Sequence, residues 1–294
     1  MDYTEFDEDY ENWDKPSMPT ITAETVRELH QDKSTKRICF APYYEHCNYL
    51  KVKPAGNVFV GAVNFPFAQG VKWVFPRRLF RNRNSDKPLD VWYGIKTQEE
   101  FELIQDWIHR QGERVYLRDG LSISIALALN FRGLGEQYTE IGALQNAAKY
   151  REDRMATERL VEACCKTIVD LPYLNCTKYI AAVPSEVGKP FHLPYQIAGG
   201  VAHRLHLNDI SHSFSEFAKQ KLKDRGIEQK WDDWEATGLM VNRDLSGQDV
   251  ILVDDLYQSG TTLQFVAMKL QKAGARNVFG LCLVKSLGNT DNKS

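Results

Sequence analysis

Apolar and polar positions fall into distinct textures along the chain, and each predicts a different kind of element. Residues 1–36 are polar and acidic, with one short helical pattern near Ala23–His30, and otherwise read as a poorly ordered arm. From Ile38 to about Phe131, short runs rich in Val, Ile, Phe, Trp and Tyr predict strands: Asn57–Val63, Lys72–Phe75, Val91–Ile95, Val115–Leu117 and Ser122–Leu129. One helix interrupts them. Thr97 is a good N-cap with Glu100 three residues on, a capping box, and Phe101, Ile104 and Ile108 share a face before Gly112 ends it. Residues 37–132 therefore read as a small α+β domain.

Beyond Gly133–Gly135 the period lengthens. Tyr138 to about Asp170 is helical, with Leu144, Ala148, Leu160, Cys164 and Ile168 on its apolar face. A buried strand Tyr179–Val183, a helix Tyr195–Leu205 and a polar, Lys-rich stretch over 215–248 come next. The end is the most regular part: strand Val250–Val253, helix Thr262–Ala273 stopped by Gly274, strand Asn277–Val284. Apolar strands alternating with amphipathic helices imply βαβ units, so residues 133–294 are expected to form an α/β domain with a parallel sheet.

Charge and cysteine content narrow the class. A net charge of -2 gives no global pull toward nucleic acid or an anionic membrane. The six cysteines form no CxxC pair, so reduced thiols in a cytoplasm are the simplest reading. The first fourteen residues carry seven acids and no Lys or Arg, unlike a secretory signal, and the longest apolar run, Leu121–Phe131, is too short to span a bilayer. A soluble protein is expected.

The chemistry concentrates in Val250–Thr262. Asp254 and Asp255 emerge from an aliphatic strand, and Ser259-Gly260-Thr261-Thr262 then closes a tight turn that opens a helix. Ligands of open α/β sheets bind at such strand ends. Gly260 leaves room for close approach, the flanking hydroxyls can donate, and the first helical amides point at an anion. Acceptors for sugar hydroxyls thus stand next to donors for a phosphate. A ribose 5-phosphate has both ends. A Walker B element is the nearest competitor, but no GxxxxGK[ST] precedes it. A receiver-type acid pair would need more chain than the roughly forty residues left after Asp255. A coincidental strand–turn–helix remains the bland alternative.

Residues 250–262 resemble the phosphoribosyl-pyrophosphate motif of type I phosphoribosyltransferases. Upstream, Tyr138–Leu144 with Ala148-Lys149-Tyr150 is similar to the helix that opens the transferase domain of ComF-like proteins, and Ala182-Val183-Pro184-Ser185 sits where that family has its pyrophosphate loop. The resemblance implies a type I phosphoribosyltransferase domain. Asp254 and Asp255 would hold the ribose hydroxyls, Asp255 also helping to move a proton, and Gln258, Ser259, Gly260, Thr261 and Thr262 would hold the 5′-phosphate. Pro184, Ser185, Glu186 and Lys189 would form the pyrophosphate loop, and Lys219, Lys221, Lys223 and Arg225 a flap. Magnesium would arrive on the ligand rather than on protein ligands. Departures are a missing cysteine-rich zinc module and the acid Glu186 in a loop meant for pyrophosphate.

The resemblance leaves two functions open: transfer of phosphoribosyl between its pyrophosphate and a nitrogenous base, or a silent nucleotide-sensing module working with a partner, in DNA uptake or anti-phage defence. A homodimer or a protein partner is compatible with either. Lys72, Arg77, Arg78, Arg81 and Arg83 interleave with Trp73, Phe75 and Phe80, as nucleic-acid surfaces do, and as a solvated loop also does. His203 and His206 have metal-compatible spacing without a third ligand, and Trp231 and Trp234 could stack a base or pack a flap.

Overall fold

The computed structural model describes residues 16–133, 137–188, 191–218 and 227–288. In chain order the first half holds α1 (Ala23–Gln31), β1 (Arg37–Cys39), β2 (Leu50–Val52), β3 (Gly61–Phe65), α2 (Val71–Val74), β4 (Phe80–Arg81), β5 (Val91–Ile95), α3 (Gln98–Gln111), β6 (Val115–Leu117) and β7 (Ile123–Leu129). A two-strand ribbon, β8 (Phe131–Arg132) with β9 (Gln137–Tyr138), leads into α4 (Glu140–Arg151), α5 (Arg154–Asp170), β10 (Tyr179–Ala182), α6 (Leu193–Leu205) and β11 (Asn208–Asp209). The chain then runs through α7 (Ile227–Ala236), β12 (Asp249–Tyr257), α8 (Thr261–Lys272) and β13 (Asn277–Lys285).

The apolar runs near the C-terminus become the centre of a seven-stranded sheet ordered β1-β6-β7-β13-β12-β10-β11. Its strands from β7 to β11 are parallel, and β6 and β1 add an antiparallel edge. Strand alternation divides the core in two. Ile251, Val253, Phe279 and Leu281 meet α4, α5 and α6 through Ala148, Leu160 and Ile197. Val250, Leu252 and Val278 meet α1, α7 and α8 through Val26, Trp234 and Phe265. Helices on both faces explain why these strands are almost wholly apolar. The protein is a mixed α/β fold built on a large, mostly parallel sheet.

A second, antiparallel sheet, β2-β3-β5-β4, stands beside it. Residues 37–132 do not close on themselves as the sequence pattern suggests. β7 pairs parallel with β13, and β1 and β6 belong to the same large sheet, so that sheet runs through the expected boundary. Two packed layers bury β7 on both sides, which single-segment periodicity cannot reveal.

Other expectations are corrected locally. Lys72–Phe75 is not a strand: Gly70, at φ 72, opens a helical turn in which Val71, Trp73 and Val74 are all buried. A short apolar run buried on several sides carries no period to separate strand from helix. Asn57–Val63 pairs only from Val60 onward, because Asn57 makes a turn whose side chain accepts from the Phe59 amide. The single helix read over 138–170 is two. Glu152 is left-handed at φ 52, and Asp153 restarts the helix by accepting from the Ala156 amide. Of the acidic arm, residues 1–15 lie outside the described residues, and the rest packs onto the body, with Ile21 buried and its amide donating to Gln271 of α8.

Candidate functional site

β12 does not end at its acids. It runs on through Asp254 and Asp255 to Tyr257, with Asp254 opposite Cys282 and Tyr257 opposite Lys285 of β13. The sheet therefore continues past the point where the sequence pattern places the strand end. Gly260 then turns the chain at φ 75 and ψ -2 and caps α8 without any side-chain hydrogen bond. That left-handed conformation favours glycine, and a Cβ here would lie 2.2 Å from the Tyr257 hydroxyl. The amides of Ser259, Gly260, Thr261, Thr262 and Leu263 meet no acceptor among the described residues. Unsatisfied donors at a helix start are an anion cradle in waiting.

The loop hydroxyls are arranged among themselves. Ser259 and Thr261 share a hydrogen bond of 3.0 Å, and Thr262 accepts from the Trp234 indole at 3.2 Å. Gln258 is exposed and its carbonyl accepts from the Lys285 ammonium at 3.1 Å.

Consecutive residues of a strand leave opposite faces, so Asp254 and Asp255 do not point together as a diol clamp would require. Asp254 is pinned by the Asp255 amide at 2.8 Å. Burial, and then the neighbouring Asp255 charge, push its carboxyl well above the usual carboxylate range. Asp255 pairs at 2.6 Å with Lys149 of α4. Burial alone would lower the Lys149 ammonium, but Asp255 outweighs that and holds it above its ordinary value. Lys149 keeps 32% of its side chain exposed and Asp255 15%, so solvent reaches the pair from the lysine side. A ligand hydroxyl can replace an ammonium there. The sequence resemblance contained Lys149 but gave it no role.

Three further residues escaped sequence reading. Tyr257 lies under the loop and donates at 3.1 Å to Asp119, a buried acid on the β6–β7 connection that also accepts from the Leu121 amide and the Ser124 hydroxyl. Burial pushes Asp119 up to about 6, against the pull of those donors. Lys285 is fully buried at the end of β13 and ties Gln258 and Ser286 carbonyls together. A lysine closing an otherwise apolar strand was the available signal for Lys285. Asp119 lies 138 residues before the Tyr257 it supports and had none.

Beside Asp254, the β10 register puts Ala182 opposite Val253, so Pro184, Ser185 and Glu186 come next at the same sheet edge. The Val187 amide is engaged by the Phe217 carbonyl, whereas those of Ser185 and Glu186 meet no acceptor among the described residues. Lys189, Lys219, Lys221, Lys223 and Arg225 lie outside the described residues. Trp231 and Trp234 are not base-stacking surfaces: both are buried against Phe265. Trp73 and Phe75 are buried too, Phe80 is half-buried, and Arg77 is paired with Glu100, so the interleaved surface expected for nucleic acid around Lys72, Arg78, Arg81 and Arg83 lacks two of its three aromatic rings. His203 and His206 are exposed, and no cluster of three metal-capable side chains occurs among the described residues. All six cysteines are free, and no described helix is long and apolar enough to cross a membrane.

No family model and no curated protein matches the chain. Among solved structures it is similar to a purine phosphoribosyltransferase from Pyrococcus horikoshii Ot3, at 18% identity over 45% of this chain and 74% of that one, TM-score 0.30. It is also similar to adenine phosphoribosyltransferases from Thermoanaerobacter pseudethanolicus ATCC 33223 (18% identity, 46% and 83% of the two chains, TM-score 0.30) and from Leishmania tarentolae (12% identity, 50% and 78%, TM-score 0.32). At superposition scores this low, the chemistry of the site rests on the residues of this chain.

Proposed function

We propose that the chain binds phosphoribosyl pyrophosphate or a ribose 5-phosphate nucleotide at the β12–α8 junction, and transfers phosphoribosyl to or from a nitrogenous base. One observation carries this reading: a row of unaccepted amides from Ser259 to Leu263, opened by a left-handed Gly260, follows within a few residues of Asp255, a carboxylate whose lysine partner reaches solvent. The amides and the helix start suit a phosphate dianion. Asp255 suits a ribose hydroxyl once Lys149 yields it, and Ser185 and Glu186 offer amides to a pyrophosphate. With Asp254 and Asp255 on opposite faces, Asp255 is the sugar acid and Asp254 the supporting one.

A magnesium ion fits these residues only as cargo. Two adjacent carboxylates, with no third ligand among the described residues, suit an ion held mainly by substrate phosphates. Bound that way, it would neutralise charge on departing pyrophosphate. The chain's own part is to hold the sugar phosphate, aim the ribose, and keep its C1 dry as positive charge develops there. No side-chain nucleophile is needed.

A silent sensing module is the second reading. Glu186 adds an acid to the loop assigned to pyrophosphate, which supports binding of a monophosphate without turnover. Calorimetry with phosphoribosyl pyrophosphate and magnesium tests both. Saturable binding that Gly260→Val removes is expected. Pyrophosphate release with one of the common bases, lost in Asp255→Asn, identifies a transferase; binding without release identifies the sensor. Absence of binding overturns both.

A further inference from the structure

A cavity of about 770 Å³ opens on the antiparallel sheet and shares no lining residue with the β12–α8 junction. Its walls are aromatic. Phe59 stands edge-on to Trp92, with ring centroids 5.7 Å apart and planes at 84°, and Phe80 is the cross-strand neighbour of Trp92. Gly94 makes this possible, since a Cβ there would lie 2.6 Å from the Phe59 ring. Two rings at right angles present a face and an edge together, the arrangement in which a third flat ring packs well.

The polar end is unbalanced. Glu100 accepts from Arg77 Nε at 2.8 Å, the Tyr93 hydroxyl at 2.6 Å and the Lys96 amide at 3.2 Å, so its oxygens are engaged. Arg77 keeps 37% of its side chain exposed. Beyond Glu100, Arg77 also meets the Pro76 carbonyl and the Tyr93 hydroxyl, while Trp92 Nε1 meets no acceptor among the described residues. An indole donor and a partly exposed guanidinium thus line a cavity whose inner carboxylate is occupied. Across the lining, Arg77 and Lys96 cancel Glu99 and Glu100. The complement of such a site is an uncharged ring bearing an acceptor. Its volume is that of a small-molecule pocket.

We propose that this cavity is a second small-molecule site, which takes an uncharged aromatic or heteroaromatic ring with a hydrogen-bond acceptor turned toward Arg77. It is independent of the phosphoribosyl reading. The test uses the full chain labelled with 5-fluorotryptophan, the Trp92 fluorine resonance being assigned from Trp92→Phe. Nicotinamide, adenine and uracil are titrated, with cyclohexanecarboxamide as a partner that keeps the amide of nicotinamide and loses the ring. Expected are a saturable shift of the Trp92 resonance by at least one ring, binding at least tenfold weaker for the saturated amide, and a loss of about tenfold in Arg77→Met. Should that variant misfold, Arg77→Lys, which keeps charge but loses the planar fork, reads the same contact. Saturating phosphoribosyl pyrophosphate with magnesium should not compete. The proposal is overturned if no ring moves the resonance, if the saturated amide binds equally well, if phosphoribosyl pyrophosphate displaces the ring, or if only an apolar peptide occupies the cavity.

Discussion

The β12–α8 junction and the antiparallel sheet present opposite ways of making a site. At the junction, thirteen consecutive residues from Val250 to Thr262 supply strand, acids, turn and helix start, so the chemistry is written in one line of sequence. On the antiparallel sheet, Phe59, Arg77, Trp92 and Glu100 come from four separate segments and meet only after β3, β4 and β5 have paired. The first kind needs backbone: amides, a left-handed glycine, a helix dipole. The second needs side chains alone. Backbone sites must be local because adjacent amides belong to adjacent residues, while side-chain sites need only a common surface.

The largest effect that would break this contrast is at Gly260. Valine there meets the Tyr257 hydroxyl and must hold φ near 75. A β-branched residue resists that conformation, at about 1–2 kcal/mol before any overlap. Ligand affinity at the junction should fall by at least a hundredfold by calorimetry. Tyr257→Phe should restore little of it, because the ring carbon bearing the hydroxyl is itself 2.4 Å from the added Cβ. Normal affinity in Gly260→Val would show that the loop amides do not hold the ligand.

Next comes a dependence on pH opposite in sign to that of the antiparallel sheet, where, against the pull of burial, the donors around Glu100 hold its carboxyl below its ordinary value. Asp119 titrates at about 6 in the fold against 3.8 in an ordinary setting, because burial disfavours its charged form. A raised carboxyl binds its proton more tightly when folded. Its contribution is therefore greatest at low pH and is lost as pH climbs from about 4 through 6, about 3 kcal/mol in all. Urea denaturation of Asp119→Asn, compared with the parent, should show a gap that changes by that order across the window. A parallel pair of profiles would mean Asp119 is not the buried acid described.

How much was legible in the sequence reflects the same contrast. β5, β6 and α3 were visible from the composition of their runs and from Thr97 and Gly112. The Thr97–Glu100 box is half made: Glu100 donates its amide to Thr97, but its carboxylate turns to Arg77 and Tyr93 instead of the cap amide. Sequence spacing names a possible partner and cannot see a better one arriving from another segment. Lys149 and Asp119 were illegible for that reason, each lying more than a hundred residues from the motif it touches. The large sheet was read only in its C-terminal half, because strand order is set by long-range packing of β7 on β13.

Two ion pairs, one in each region, give the smallest and most discriminating prediction. Lys149–Asp255 and Arg77–Glu100 are both half-buried, with the basic side chains 32% and 37% exposed and the acids 15% and 16%. Pairs with one solvated partner contribute on the order of 1 kcal/mol to stability. Double-mutant cycles with Lys149→Met, Asp255→Asn, Arg77→Met and Glu100→Gln should therefore give small couplings for both. Ligand should separate them. Phosphoribosyl pyrophosphate must take Asp255 from Lys149, so saturation should drive the Lys149–Asp255 coupling toward zero while leaving Arg77–Glu100 as it was. Lys149→Met should accordingly alter affinity by no more than about tenfold, since the contact it loses is one the bound state does not keep. A coupling between Lys149 and Asp255 that survives saturation would mean the carboxylate never reaches the sugar, and the ribose would have to be held by another group.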